Sequence, residues 1–216
     1  MTVYIAPIVE GETEAICVPT LLHKIWTELL CVPERLDVLA PLRAPRTQLV
    51  HPSGAVLSEK VSQSASRVRQ KVARDRDIAS RGLVLLLIDA ESDCPAILGP
   101  ELSLKASAAR KDVFVASVLA TRMFENWILA GASSLAGING MPDEIPVRDR
   151  FEECGGAAWL DLALQQVDRS RRYKKTSDAI TFVQHMNLQE CRENSLSFQT
   201  LLHRLESQLP PPPTSE

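Results

Sequence analysis

The sequence predicts an α/β fold, a mostly parallel sheet flanked by helices with a helical extension at the C-terminal end. Three observations lead there. Apolar, β-branched stretches alternate with segments of helical period as far as residue 131. The run Leu83 to Ile88 is uninterrupted and apolar, as expected of a strand buried on both faces of a parallel sheet. Beyond Gly131 the strand-like stretches stop and helical patterns take over.

Each element follows from local chemistry. "TVYIAPIV" carries β-branched and aromatic residues and stops at Gly11, which predicts a strand and a turn. A helix should follow, with Thr13 as its N-cap and Val18, Leu22, Ile25 and Leu29 as its apolar stripe. Pro19 lies inside that stripe. An interior proline costs about 3 kcal/mol, so a kink or a late helix start is expected. "RLDVLAPLR" reads as a second, weaker strand, and Ser58 to Ser80 as a polar helix. "GLVLLLIDAESDC" holds the third strand, Gly99 to Arg110 a helix, "DVFVASVLA" a fourth strand and "TRMFENWILAGA" another helix. "GASSLAGINGMPDEIP" is loop-like. Trp159, Leu160, Ala163, Leu164 and Val167 then form one helical stripe, and "SFQTLLHRLESQL" is the last helix. The division is therefore an α/β domain over 1–131, a helical extension packed on it over 132–209, and a disordered proline-rich tail over 210–216.

Composition narrows the function classes. The 45% hydrophobic and 24% charged fractions of this 216-residue chain are those of a soluble globular protein, with no membrane span. The five cysteines are scattered without a CxxC pair, which argues against a disulfide framework or a cysteine-based zinc site and for a reducing, cytoplasmic setting. No secretory leader is visible at the N-terminus. His23, His51, His185 and His203 lack ligand spacing and read as surface residues. No Walker "GxxxxGK[ST]" is present, so ATP hydrolysis is not expected of this chain alone. A net charge of −3 lacks the strongly basic face of an autonomous duplex binder.

The acids carry the sharper signal. Glu10, Glu12 and Glu14 fall within five residues at the end of the first strand, and the third strand ends in Asp89 with Glu91 and Asp93 behind it. Ligands of open α/β sheets bind outside the carboxyl ends of the strands. If the two strands are neighbours, these carboxylates converge, and converging carboxylates raise one another's pKa unless a cation joins them. Mg2+, or Mn2+ in its place, takes one or two carboxylates, waters and phosphate oxygens. Glu12 and Glu14 can equally be acids that complement a helix dipole, and Asp93 a turn cap.

"IVEGETE" followed by "LLLIDAESD" resembles the signature of the Toprim domain, the metal-binding module of topoisomerases, primases and overcoming-lysogenisation-defect nucleases. That pattern is a strand ending in glutamate before glycine, then a later strand ending in two aspartates one residue apart. Glu10 and Asp89 match it, whereas the second aspartate is replaced in register by Glu91, with Asp93 further on. "DAESDCPAILGPEL", "FENWILAGA", "RYKKTSD" and "SFQTLLHRL" are similar to a smaller Toprim-like family often encoded beside AAA-type or SMC-like ATPases in bacterial defence loci. The resemblance implies a metal-dependent endonuclease subunit that works with a partner ATPase in anti-phage defence on DNA or RNA, possible as a homo- or hetero-oligomer. It implies Glu10, Asp89 and Glu91 as catalytic residues, with Lys175 neutralising charge on the phosphate. The metal ligands would come from Glu10, Asp89, Glu91, Asp93, Glu14 and Glu125. The rival reading is a catalytically idle docking module for the ATPase, its acids holding no metal.

Two basic stretches are candidate nucleic-acid contacts. Arg67, Arg69, Lys71 and Arg74 either track phosphates or form a wet helix face paired with Asp75 and Asp77. Arg171, Arg172, Tyr173 and Lys174 are denser, and the tyrosine could stack on a base.

Overall fold

The computed structural model describes residues 1–145 and 155–209. The tail expected to be disordered, 210–216, lies outside the described residues, as does Cys154. Strand β1 (Thr2–Val9) occupies the middle of a five-stranded sheet with β2 (Arg35–Val38), β3 (Leu42–Arg43), β4 (Arg81–Asp89) and β5 (Phe114–Ala120). Their order is β2-β1-β4-β5, β3 also pairs with β1, and every pair is parallel. The expected second strand is split in two. Its first part pairs with Thr2–Ile5 and its second with Ile8–Val9. Pro41 lies between the parts and has no N–H to give the ladder.

Alternation along β4 explains its unbroken apolar run. Leu83, Leu85 and Leu87 join Val3, Ile5 and Val9 of β1 in one core, under α1 (Glu12–Lys24). Val84, Leu86 and Ile88 join Ile8 in a second core, under α3 (Ala55–Arg74) and α4 (Pro95–Ala109). Each fully buried leucine or isoleucine contributes roughly 1.5–3 kcal/mol, so both faces of β4 hold the layers together.

The helices differ from the sequence reading mainly at their ends. Helix α1 starts at Glu12 despite Pro19, with Gly11 and not Thr13 at the N-cap, and passes into a π-helical turn at Ile25–Leu29. Helix α3 stops at Arg74, short of Ser80. There Asp75 and Asp77 accept hydrogen bonds from the backbone N–H groups of Asp77 and Ala79, offering the chain a turn instead of another helical one. Helix α4 starts four residues early, with Pro95 at its first position, where a missing N–H costs nothing. Only Glu125–Ala130 of the expected helix in "TRMFENWILAGA" is α-helix, α5.

A short helix α2 (Arg46–Leu49) follows β3, and 3₁₀ turns at Ala132–Leu135 and Ile138–Gly140 lie in the expected loop. The C-terminal part holds α6 (Gly156–Val167), α7 (Asp178–His185), α8 (Leu188–Asn194) and α9 (Leu196–Glu206). Asn187 and Ser195 cap α8 and α9 by accepting backbone N–H groups. Phe182, Phe198, Leu201 and Leu205 of these helices belong to the core that contains Val3 and Leu83. Trp127 of α5 joins the halves, with its ring 5.7 Å from Phe124 and 5.5 Å from Phe198. Among the described residues no helix is long and apolar enough to cross a membrane.

Candidate metal centre

Strand pairing brings the two acidic stretches together. Val9 of β1 lies opposite Leu87 of β4, so Glu10 and Asp89 leave neighbouring strands at the same carboxyl rim. Glu14 comes from the first turn of α1 and is 6% exposed. Carboxylate oxygens of Glu10, Glu14 and Asp89 all lie within 4.8 Å of one another. Gly11 makes this possible, because a Cβ there would stand 2.4 Å from Glu14 Oε2. The glycine is selected for space; its φ of −118° is ordinary extended backbone.

Glu125, the first residue of α5, is 1% exposed and belongs to the same field. Burial together with Glu10, Glu14 and Glu125 pushes Asp89 up to about 9. Burial and then Glu14 raise Glu10, against a smaller opposing effect of its contact with Asp89. Burial raises Glu14 as well, with Glu125 adding to the effect. Cys17, one turn further along α1, is pushed up to about 12 by burial and then by Glu14 and Glu125. Burial and mutual repulsion thus favour a proton on Asp89 at neutral pH, where a cation could stand.

The donor set suits a cation. Glu10 Oε2, Glu14 Oε2 and Glu125 Oε1 are buried and receive no hydrogen bond. Unpartnered buried carboxylate oxygens are costly, and a hard cation satisfies several at once. The triad of Glu10, Glu14 and Asp89 can therefore hold a metal ion.

Glu91 and Asp93 stand outside that triad. Arg46, the first residue of α2, pairs with Glu91 Oε2 at 3.3 Å and also with Asp93. It donates to the backbone carbonyls of Asp89 at 2.9 Å and Ala90 at 3.2 Å as well. Glu91 turns at φ 53°, a left-handed conformation that costs a non-glycine residue on the order of 1–3 kcal/mol. The chain turns just beyond β4, and a guanidinium holds the two acids apart from the triad at the same rim. Sequence reasoning missed Arg46, because "APR" carries no motif. Only the pairing of β3 with the end of β1 places it at this rim.

Lys175 stands 3.6 Å from Glu125 Oε1 and is 61% exposed at its side chain. Arg171 and Tyr173 of its stretch are committed internally, while the Lys174 side chain is exposed. Arg171 pairs with buried Asp178 at 2.7 Å, and Lys174 donates its backbone N–H to the same carboxylate. The Arg172 guanidinium folds onto the carbonyls of Arg169 and Arg171. Tyr173 lies parallel to Phe182 at 6.2 Å, and its hydroxyl is buried without a partner. A base cannot stack on that ring as it stands. The organising residue, Asp178, was also missed, although "TSD" before an apolar helix is a recognisable start signal.

The other basic stretch is on the wrong edge to touch the triad. Helix α3 runs back along the sheet. Val68 packs at Gly82, near the start of β4, and Lys71 pairs with Asp37, which is in register with Tyr4. Arg67 is half-buried and Arg69 pairs with Asp112 at 3.7 Å, while Arg74 ends the helix. The six residues from Tyr4 to Glu10 span roughly 20 Å of extended chain, so this basic face and the acids mark opposite edges.

No curated protein and no solved structure matches the chain. Residues 9–206, which include the triad, Arg46 and the helices through α9, match the model of a family described as a domain of unknown function (DUF4276), and the chain belongs to that family.

Proposed function

We propose that this protein is a Mg2+-dependent nuclease subunit, with Mn2+ as a substitute, whose centre is Glu10, Glu14 and Asp89. One observation carries the reading: three carboxylates from β1, α1 and β4 meet within 4.8 Å at the carboxyl rim, with buried oxygens left unpartnered. A divalent cation bound there would polarise a phosphate and stabilise the leaving oxygen. The chain's own residues do the remaining work. Asp89 would give up its proton to become a ligand beside Glu10, and Glu14 closes the third side over Gly11. Glu125 holds Lys175 at the edge of the centre, where its exposed ammonium can meet a phosphate. The Toprim resemblance supplies the rest of the proposal, a cytoplasmic assembly with an AAA- or SMC-like ATPase acting on DNA or RNA in phage defence.

The test is cleavage of plasmid DNA and of RNA by the chain with its partner ATPase, in Mg2+, Mn2+ or EDTA. Activity that needs the cation and disappears in Asp89→Asn supports the reading, and equal cleavage by that variant overturns it.

A second reading, an idle docking subunit, is favoured by the internal commitment of Arg171 and Tyr173, which leaves those two unavailable to nucleic acid. Calorimetry separates the readings: millimolar Mg2+ or Mn2+ binds a nuclease centre and leaves a docking module without heat.

A further inference from the structure

The hydrogen bonds and ion pairs of the Arg46 side chain all go to one loop, and its charge also reaches Glu10. Its side chain is 12% exposed. Nε reaches the Asp89 carbonyl, Nη2 the Ala90 carbonyl and Asp93, and Nη1 Glu91. The two carbonyls belong to a ligand residue and its neighbour; the two carboxylates are the only acids of the next four residues. A planar fork of this kind fixes direction as well as charge. Released from it, Glu91 and Asp93 sit two and four residues beyond Asp89 on a turn at the same rim, and Glu91 already lies close enough to Glu10 for their charges to interact.

We propose that Arg46 is a positioning residue that sets the cation preference of the centre by withholding Glu91 and Asp93 from it. This inference rests on the metal-centre reading above. With three carboxylates and open positions for water, the centre suits a small ion that keeps part of its hydration, as Mg2+ does. The turn itself is held by backbone hydrogen bonds from Ala90 to Ala120 and from Glu91 to Arg122, so release from Arg46 frees the two side chains rather than the chain. Two further carboxylates there would supply the larger, looser oxygen shell that Ca2+ takes. Arg46 therefore acts on selectivity through the ligands it denies the ion, while its hydrogen bonds to the Asp89 and Ala90 carbonyls hold the true ligand in line.

The experiment is calorimetric titration of the full chain with Mg2+, Mn2+ and Ca2+ separately. In Arg46→Gln the affinity for Ca2+ relative to Mg2+ should rise about tenfold or more, the scale on which residues behind the ligands act. Adding Glu91→Gln and Asp93→Asn to that variant should return the ratio to the wild-type value, an outcome that a mere loss of rigidity does not produce. Arg46→Lys, which keeps the charge but engages one partner at a time, should shift the ratio in the same direction by less and stands in if the glutamine variant does not fold. An unchanged ratio in the folded variant, or a shift that persists in the triple variant, overturns the role of Arg46. Asp89→Asn separates the two failures: if it binds cations as the wild type does, the metal-centre reading itself is wrong.

Discussion

The backbone N–H of Phe124 donates to Asp89 Oδ1 at 2.7 Å, tying the last residue of β4 to the N-cap of α5. One oxygen of Asp89 is thereby fixed by main chain, and the carboxyl group is held beside Glu10 and Glu14. The same contact brings Glu125, the next residue after Phe124, into the acidic field. An asparagine at position 89 keeps an oxygen for the Phe124 N–H and loses the ionisable group. Asp89→Asn should abolish divalent-cation binding, yet in EDTA at pH 8 it should melt above the wild type, by roughly 5 °C if about 1–2 kcal/mol of charge burden is relieved. Calorimetry with Mn2+ and a thermal melt read the two effects. A variant that binds Mn2+ normally contradicts the assignment.

Stability without metal should fall as pH rises. Burial and its acidic neighbours raise Asp89 from 3.8 to about 9 in the folded chain. Between those values the folded protein keeps a proton that the unfolded chain has lost. The stabilisation is complete below the lower value and disappears as pH climbs through the upper one. Glu10 and Glu14 are raised too and act in the same direction. Urea melts in EDTA between pH 5 and pH 9 should show this decline, and millimolar Mg2+ should flatten it. Cation binding at pH 7 should release protons, seen as a heat that changes with the ionisation enthalpy of the buffer.

Gly11→Ala isolates the space around Glu14. The backbone there suits alanine, but the new Cβ would meet Glu14 Oε2 at 2.4 Å. The carboxylate must swing away. Cation affinity should drop about tenfold or more, in line with disturbing a group that orients a ligand set. The melting temperature in EDTA should stay level or rise slightly, because alanine restricts the unfolded chain. A stable variant with wild-type affinity would show that Glu14 is not a ligand.

The strands were legible because burial on both faces demands apolar residues at every position, as in Leu83 to Ile88. The pairing of β1 with β4 was legible only as a condition, and with it the meeting of Glu10 and Asp89. Helix ends were harder to read. Asp75 and Asp77 divert the chain through side-chain hydrogen bonds that no hydrophobic period records. The acids behind Asp89 misled for a related reason. Spacing along the sequence puts Glu91 and Asp93 near the rim, whereas a guanidinium from 43 residues earlier in the chain than Asp89 decides where they point. Basic residues are equally silent about their partners: Arg171 reads as substrate-facing until Asp178 is seen beneath it.

Lys175 and Glu125 form a pair of unequal exposure, 61% against 1%, at 3.6 Å. Removing the lysine leaves a buried carboxylate whose Oε1 already lacks a hydrogen bond. Loss of one partner of a fully buried pair costs about 3–5 kcal/mol, but solvent around the lysine screens this one, so about 1–2 kcal/mol is expected. Lys175→Met should therefore destabilise the metal-free chain by that amount, and Glu125→Gln added to it should restore most of the loss by removing the stranded charge. In the same single variant, cation affinity should hold or rise, because a competing positive charge has left the neighbourhood of Glu14. On the proposed nuclease reading, turnover should fall while cation affinity is kept if the ammonium meets the phosphate. A fall in both together would make Lys175 a structural support of the centre, and unchanged turnover would remove it from the reaction.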